Sequence, residues 1–373
     1  MTPFAPRGRA LLLERAKVSI LYLYYMAVRL VRGKLDPRSR SMNHRLNALG
    51  RTYHVRMWQS AAVSVGALCR TEPDGVVEIE NGNRSIRVHD NVTSLNEPAA
   101  VKRASDKAGM QALLAKSGVP VPLGIVLTVG EFDRALRMLQ TTRRFLVVKP
   151  AGSTGGGAGV STDVTSLARL RTAVAWARTF SRYIWLEEQI EGDCYRVLVM
   201  DGDVIDTVLR RPPRVVGDGV STIRRLIHRE NEARLKAAAD HAQVPIRFDV
   251  DLRNTLANQS LSLRSRPAEG EVIGLKRVIN DNSARDNVPA NGRLCPAILD
   301  AACRAAAIVG TRIAGVDVIC TDPTVPLEVS GGAIIEVNAT PGFYCHTSKE
   351  GASTFPVVER VLSKALHQAA AQA

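Results

Sequence analysis

From Phe145 to Val164 the chain reads FLVVKPAGSTGGGAGVSTDV, a β-branched run closed by Lys149-Pro150 and followed by five glycines among small residues. Any fold for this chain must give that stretch two extended flanks and a connection almost without side chains. Two familiar phosphate loops are excluded by spacing. A P-loop requires GxxxxGK[ST], but Gly152 is followed at the right distance by Gly157 and then Ala158, with no lysine. A dinucleotide fingerprint requires GxGxxG opening a helix. Gly155-x-Gly157 and Gly157-x-Gly159 lack the third glycine, and Val160 to Val164 reads as extended. What remains is a hairpin-like loop between strands, whose bare backbone N–H groups can close on an anion. A plain surface hairpin suits the same residues.

The rest of the chain mixes hairpins with helices. Val76 to Asp90 alternates around Asn81-Gly82, and Arg196 to Arg210 alternates around Asp201-Gly202, both hairpin signals. Helices are expected over Pro98 to Ser117, Thr165 to Phe180, a long stretch from Gly219 to about His241, and Pro296 to Ile313. Strands are expected at Phe145 to Pro150, Ile184 to Gln189, Glu271 to Val278, Val316 to Cys320 and Ala333 to Asn338, with a polar segment before Glu271. The class is α/β in the broad sense, of the α+β kind, and this order argues against a purely parallel doubly wound sheet.

With 373 residues, 45% of them hydrophobic, the chain can bury a sizeable core divided over two or three subdomains. Lys and Arg number 50 against 36 Asp and Glu, so the net charge is +14 and an anionic partner is expected. The six cysteines form no CxxC pair, and no histidines form an HExxH-type pair, which excludes zinc-finger and zincin chemistry and points to reduced thiols in the cytoplasm. Val18 to Val31 is apolar and aromatic and follows Arg7, Arg9, Arg15 and Lys17. It has no small-x-small cleavage site, is too short to span a bilayer, and is interrupted by Arg29. Two roles stay open for it: a core or docking helix, and a basic amphipathic helix making weak contact with a membrane surface or a partner.

Near the end of the chain, alternation along Ile334-Ile335-Glu336-Val337-Asn338 puts Glu336 and Asn338 on one strand face. Asp317 lies inside the apolar strand Gly315-Val-Asp-Val-Ile, where an unpaired carboxylate is costly. It needs a cation, either a metal or an arginine. Two carboxylates and an amide carbonyl are hard oxygen donors of the kind magnesium accepts alongside nucleotide phosphates.

Five motifs in order carry a resemblance: Lys149-Pro150 with its glycine loop; Trp185 to Val197; Arg210-Arg-Pro-Pro-Arg-Val-Val-Gly-Asp-Gly; Ile313 to Val318; and Ile335-Glu-Val-Asn-Ala-Thr-Pro-Gly-Phe. From about Asp106 to His346 the chain resembles the ATP-grasp superfamily. It is most similar there to the ATP-grasp domain of cyanophycin synthetase, and more distantly to glutathione synthetase and RimK-type ligases. The resemblance implies two α+β subdomains clasping ATP, behind a smaller N-terminal α/β region. It divides the chain into residues 1–105, 106–185 with the glycine loop, and 186–373 with the metal site. The implied reaction activates a carboxylate as an acyl phosphate, which an amine attacks to give an amide, ADP and phosphate. Lys107 and Lys149 match the lysines that contact the phosphates, and the loop residues Ser153, Thr154, Gly155, Gly156 and Gly157 match the lid. Glu187, Glu188, Gln189 and Ile190 match the strand that receives adenine, with Glu188 or Asp193 on the ribose. Asp317, Glu336 and Asn338 match ligands of magnesium or manganese. Arg277 matches an arginine beside the transferring phosphate, and Asn280 a position near the tetrahedral intermediate. Arg211 and Arg214 hold an anionic group or form a solvated basic loop.

Departures from the pattern narrow the expectation. Cyanophycin synthetase continues into a Mur-ligase-like domain for which there is no room after Ala373, so alternating polymer synthesis is not expected. After Asn280 the charged run Asp281 to Asn287 replaces a small, glycine-rich segment, which leaves the acceptor open. The expected partners are a small carboxylate and an amine, an amino acid or peptide among them, without nucleic acid and with homo-oligomerisation open. A small-molecule kinase and a non-catalytic nucleotide- or polyanion-binding protein are the alternatives.

Overall fold

The computed structural model describes residues 9–30, 37–152, 156–237, 244–281, 283–347 and 355–367; side chains of 37–47, 237 and 367 are left aside. The chain opens with helices α1 (Arg9–Leu30) and α2 (Pro37–Ser64), then the antiparallel meander β1 (Leu68–Thr71), β2 (Val77–Asn81), β3 (Arg84–His89) and β4 (Val92–Thr93). The β2–β3 turn is Gly82-Asn83, one residue beyond the expected Asn81-Gly82. Tyr53, Met57, Trp58 and Ala61 recur at helical spacing on α2, and they pack on Val77, Ile79, Ile86 and Val88, the inward alternate positions of β2 and β3.

Next come α3 (Pro98–Ser105) and α4 (Lys107–Lys116). A single helix over Pro98 to Ser117 was expected. The Asp106 side chain instead accepts the Gly109 amide as an N-cap, which ends one helix and starts another. Then follow β5 (Gly124–Leu127), α5 (Phe132–Thr141), β6 (Leu146–Pro150), β7 (Ser161–Val164), α6 (Leu167–Arg178) and β8 (Ile184–Glu188). The four strands form one antiparallel sheet in the order β5-β8-β6-β7. Strand β8 therefore runs through the division expected at residue 185 and stays with this sheet. Leu146, Val148, Ile184 and Leu186 point to a core shared with α6 and with Val18 and Tyr25 of α1.

The second large sheet is built from β9 (Asp193–Met200), β10 (Asp203–Arg210) and three later strands. Between them lie β11 (Arg214–Val216), α7 (Ile223–Ala237), α8 (Val250–Asn258) and β12 (Val272–Gly274). These four elements make a satellite core around Ile223, Ile227, Leu252, Leu256 and Ile273. The strand expected over Glu271 to Val278 is only three residues long, and the polar segment before it contains α8. The remaining elements are β13 (Asn287–Pro289), α9 (Pro296–Val309), β14 (Ile313–Cys320), α10 (Leu327–Ser330), β15 (Ala333–Asn338), α11 (Tyr344–Thr347) and α12 (Pro356–His367).

The order of the second sheet is β13-β10-β9-β14-β15, with every pairing antiparallel. Tyr195, Val197, Val199, Val316 and Val318 pack with Ala302, Ala305 and Val309 of α9 on one face. On the other face, Leu198, Met200 and Ile313 meet the N-terminal core and Val358, Val361 and Leu362 of α12. The end of that face carrying Arg196 and Asp317 lines a cleft together with residues of β6 and β8. The result is the mixed helix-and-sheet architecture expected from the sequence.

Trp58 is fully buried, stacks edge-on against Phe343 with centroids 5.2 Å apart, and donates Nε1 to the Asp90 carbonyl at 3.0 Å. Trp58→Ala should therefore lower unfolding free energy by about 3–5 kcal/mol; an unchanged urea midpoint would remove this contact from the core.

Candidate active site

The cleft between the two large sheets has a volume of about 640 Å³, within the range of small-molecule sites. Strand pairing brings its charges together. In the sheet register Arg196 of β9 stands opposite Asp317 of β14, and Asp317 opposite Glu336 of β15. A bulge between Asp317 and Val318 absorbs Ile335, and Glu336 and Asn338 both line the cleft. Two carboxylates directly opposite one another repel unless cations separate or flank them. Here they are flanked. Arg196 binds Asp317 through two parallel hydrogen bonds, Nε to Oδ1 at 2.6 Å and its terminal nitrogen to Oδ2 at 2.9 Å. Lys107, aimed inward by the Asp106 cap, forms an ion pair with Glu336. Asn338 donates Nδ2 to the Gly315 carbonyl at 3.2 Å and to Asp317 at 3.4 Å.

The electrostatics follow from these contacts. Burial alone would raise the Asp317 carboxyl, but Arg196 and Arg210 outweigh it and hold the group below the ordinary carboxylate range. For Glu336, burial and neighbouring Asp317 act upward, while Lys107 and Lys149 prevail downward. The cation that Asp317 requires is the Arg196 guanidinium in this structure, the arginine alternative of the two that the sequence left open.

On the opposite wall, β6 alternates Leu146 and Val148 into the core with Val147 and Lys149 toward the cleft. Lys149 pairs with Glu187 of β8 at 2.6 Å, and Glu187 also accepts the indole N–H of Trp185. Glu188 accepts the Thr142 hydroxyl at 2.7 Å. The buried Gln189 side chain bonds the Asp163 amide and carboxylate at 2.8 and 3.0 Å. Glu187, Glu188, Gln189, Ile190 and Asp193 all line the cleft, as do Lys107, Lys149, Arg277 and Asn280.

Of the glycine loop, Ser153, Thr154 and Gly155 lie outside the described residues, and Gly156 and Gly157 line the cleft. Gly157 has φ +68°, and a Cβ there would stand 2.7 Å from Val278 and 2.8 Å from the Asn280 amide. Only glycine lets the loop lie this close to the segment carrying Arg277 and Asn280. That segment is set by buried charges. Lys276 is fully buried between Asp249 and Asp281, 2.6 Å from each, and Asp251 accepts the backbone amides of Arg277 and Val278 at 3.2 and 3.0 Å. Arg277 is held by Asp163 at 2.9 Å and Glu191 at 3.0 Å.

Two arginines at the cleft floor were not singled out from sequence. Arg196 is one. Arg210 is the other, donating to Asn280 at 3.2 Å and standing 3.6 Å from Asp317. Arg211, the residue expected to act, is exposed and is not among the residues lining the cleft, and Arg214 pairs with Asp286 at 3.2 Å. The signal available in the sequence was a charged residue embedded in the apolar strand Tyr195 to Val199, the counterpart of Asp317 in its own apolar strand.

Arg196→Met leaves a buried carboxylate short of its main partner and should cost about 3–5 kcal/mol, most of it recovered when Asp317→Leu is added. Because the Asp317 and Glu336 carboxyls are held low, their contribution is fully present above about pH 4.5 and lost as pH falls through their folded values. The wild-type urea midpoint should fall on acidification and that of the double variant should fall less; parallel curves would contradict the assignment.

No protein-family model matches the chain. The cyanophycin synthetase of Trichormus variabilis is 31% identical over 275 residues, which cover 73% of this chain and 30% of that protein. The glutathione biosynthesis bifunctional protein GshAB of Streptococcus agalactiae is 29% identical over 283 residues, 74% of this chain and 37% of its own length. The chain thus spans about a third of the length of the curated relatives it matches. A bifunctional glutathione synthetase from Pasteurella multocida shares the fold, with a TM-score of 0.52 at 20% identity over 82% of this chain and 44% of its own. With its five ordered motifs gathered around one cleft between two antiparallel sheets, the chain belongs to the ATP-grasp superfamily.

Proposed function

We propose that the protein is an ATP-dependent carboxylate-amine ligase, forming an amide through an acyl phosphate with release of ADP and phosphate. The observation that carries this reading is the facing arrangement of two lysine–carboxylate pairs, Lys107–Glu336 and Lys149–Glu187, across a cleft whose floor holds adjacent carboxylates. An ammonium already ordered by a carboxylate can transfer part of its hydrogen bonding to incoming phosphate oxygens without leaving its place. Glu187 to Ile190 would receive the base, and Glu188 or Asp193 the ribose. The acid and the amine, with an amino acid or peptide as the expected class, would meet near Arg277 and Asn280.

The donor set fits magnesium or manganese. Asp317 and Glu336 supply carboxylate oxygens and Asn338 an amide oxygen, and such ions take one or two carboxylates with phosphates and water. Among the described residues no group of three or more His, Cys, Asp or Glu side chains could hold a metal ion. When bound, the ion would supply positive charge to the phosphate oxygens during transfer. Arg196 meanwhile holds the Asp317 carboxylate in place and ionised. Asn280, held by Arg210, offers its amide to a polar group above the cleft floor. Gly157 keeps the loop low over the same place, where it limits water.

Purified protein with MgATP and panels of carboxylates and amines should release ADP only when both are present, with an amide seen by mass spectrometry. A stable phosphorylated acid would instead identify a kinase, and no turnover with tight polyanion binding a non-catalytic protein. Glu336→Gln should keep the circular dichroism spectrum and lose about 100-fold or more in turnover; wild-type rates in that variant would refute the metal assignment.

A further inference from the structure

Helix α1 is fixed on one face and bare on the other. Its inner face carries Val18 and Tyr25 into the core of the β5-β8-β6-β7 layer, and Tyr25 stacks on Trp176 at 5.4 Å. Glu14 is buried against Arg171 and Lys17, Arg15 reaches Asp133 at 3.3 Å, and Arg29 lies 3.8 Å from the centre of the Phe180 ring. With those anchors the helix cannot roll its outer face inward. That outer face exposes Leu12, Leu13, Ile20, Leu23, Tyr24 and Leu30, each by 46% or more. Ala16 and Ala27 lie between them and are also exposed, so the apolar strip runs the length of the helix.

Charge selects the occupant of this strip. The one acidic residue of α1, Glu14, is turned inward and paired with Lys17 and Arg171, whereas Arg9 is exposed. In the sequence from residue 1 to 36 the acids are Glu14 and Asp36 against seven basic residues, of which Arg15, Lys17 and Arg29 have partners within the protein and Arg7, Arg9, Arg32 and Lys34 add to a net charge of +14. A second copy of the same face would bring basic rims together with no acid to meet them. An anionic lipid surface satisfies both components, taking the Leu and Ile side chains at the headgroup boundary and the basic groups at the phosphates. No helix among the described residues is long and apolar enough to cross a membrane, so the contact is with the surface.

We infer that the exposed face of α1 is a docking surface for anionic membranes, holding the nucleotide-side sheet of the cleft against the bilayer. This inference does not depend on the proposed ligase reaction. The test is flotation of the full chain with vesicles of phosphatidylcholine alone and of phosphatidylcholine with phosphatidylglycerol. Binding is expected to the anionic vesicles and to weaken as salt is raised. Ile20→Glu combined with Leu23→Glu should reduce it about tenfold or more with thermal stability unchanged, since both side chains are exposed. Val92→Glu, exposed on the remote meander, should bind like wild type apart from a small charge effect. Equal binding by wild type and the Ile20/Leu23 variant would overturn the proposal, because lipid contact would then not use α1. Absence of binding to anionic vesicles would also overturn it, and a wild-type dimer that the same variant dissociates would make the face a self-interface instead.

Discussion

The row Arg196, Asp317, Glu336, Lys107 is the constraint on which the rest of the architecture depends. Three of its four members occupy facing positions on adjacent antiparallel strands, so backbone register alone puts them in line. Two negative charges in the middle are tolerable only because a positive charge stands at each end. The consequence reaches outward. Strand β9 must lie between β10 and β14, helix α4 must start where Lys107 can reach β15, and the apolar backs of these strands must rest on α9. Each requirement is met by a local device: the Asp106 cap, the bulge beside Asp317, and alternation along β9 and β14.

A second ionic framework performs the same service for the opposite side of the cleft. Lys276 between Asp249 and Asp281 replaces an apolar core beneath the Arg277 to Asn280 segment. Burial pushes the Asp251 carboxyl up despite Lys276, and that group accepts amides from the segment as well as from Thr162 of β7. Such a framework contributes little net stability once desolvation is counted, yet it defines position closely because every member has directional partners. The glycine loop is tied to it through Arg247, which bonds both Asp281 and the Gly156 carbonyl.

What could be read from sequence divides along a physical line. Elements set by local signals were legible, among them the hairpins around Asn81-Gly82 and Asp201-Gly202, the strand after Phe145, and the shared face of Glu336 and Asn338. The need of Asp317 for a cation was legible too, because solvation cost depends on the strand it occupies. Which cation it finds was not, since Arg196 is 121 positions away and arrives by strand pairing. Helix α8 escaped notice because Asp251, Asn254 and Thr255 are polar yet buried, which removes the apolar stripe that marks a helix. Arg210 was not singled out because its partners Asn280 and Asp317 are distant in the chain and are brought to it only by the tertiary fold.

The pairing of β9 with β14 joins stretches that the chain makes far apart, residues 193–200 with 313–320. During synthesis the first of these strands leaves the ribosome long before its neighbour exists. Until then β9 has only β10 beside it, with Arg196 unmatched on a half-built sheet. The charged floor of the cleft therefore cannot form before β14 and β15 have been made, an ordering that favours slow, late assembly of this sheet.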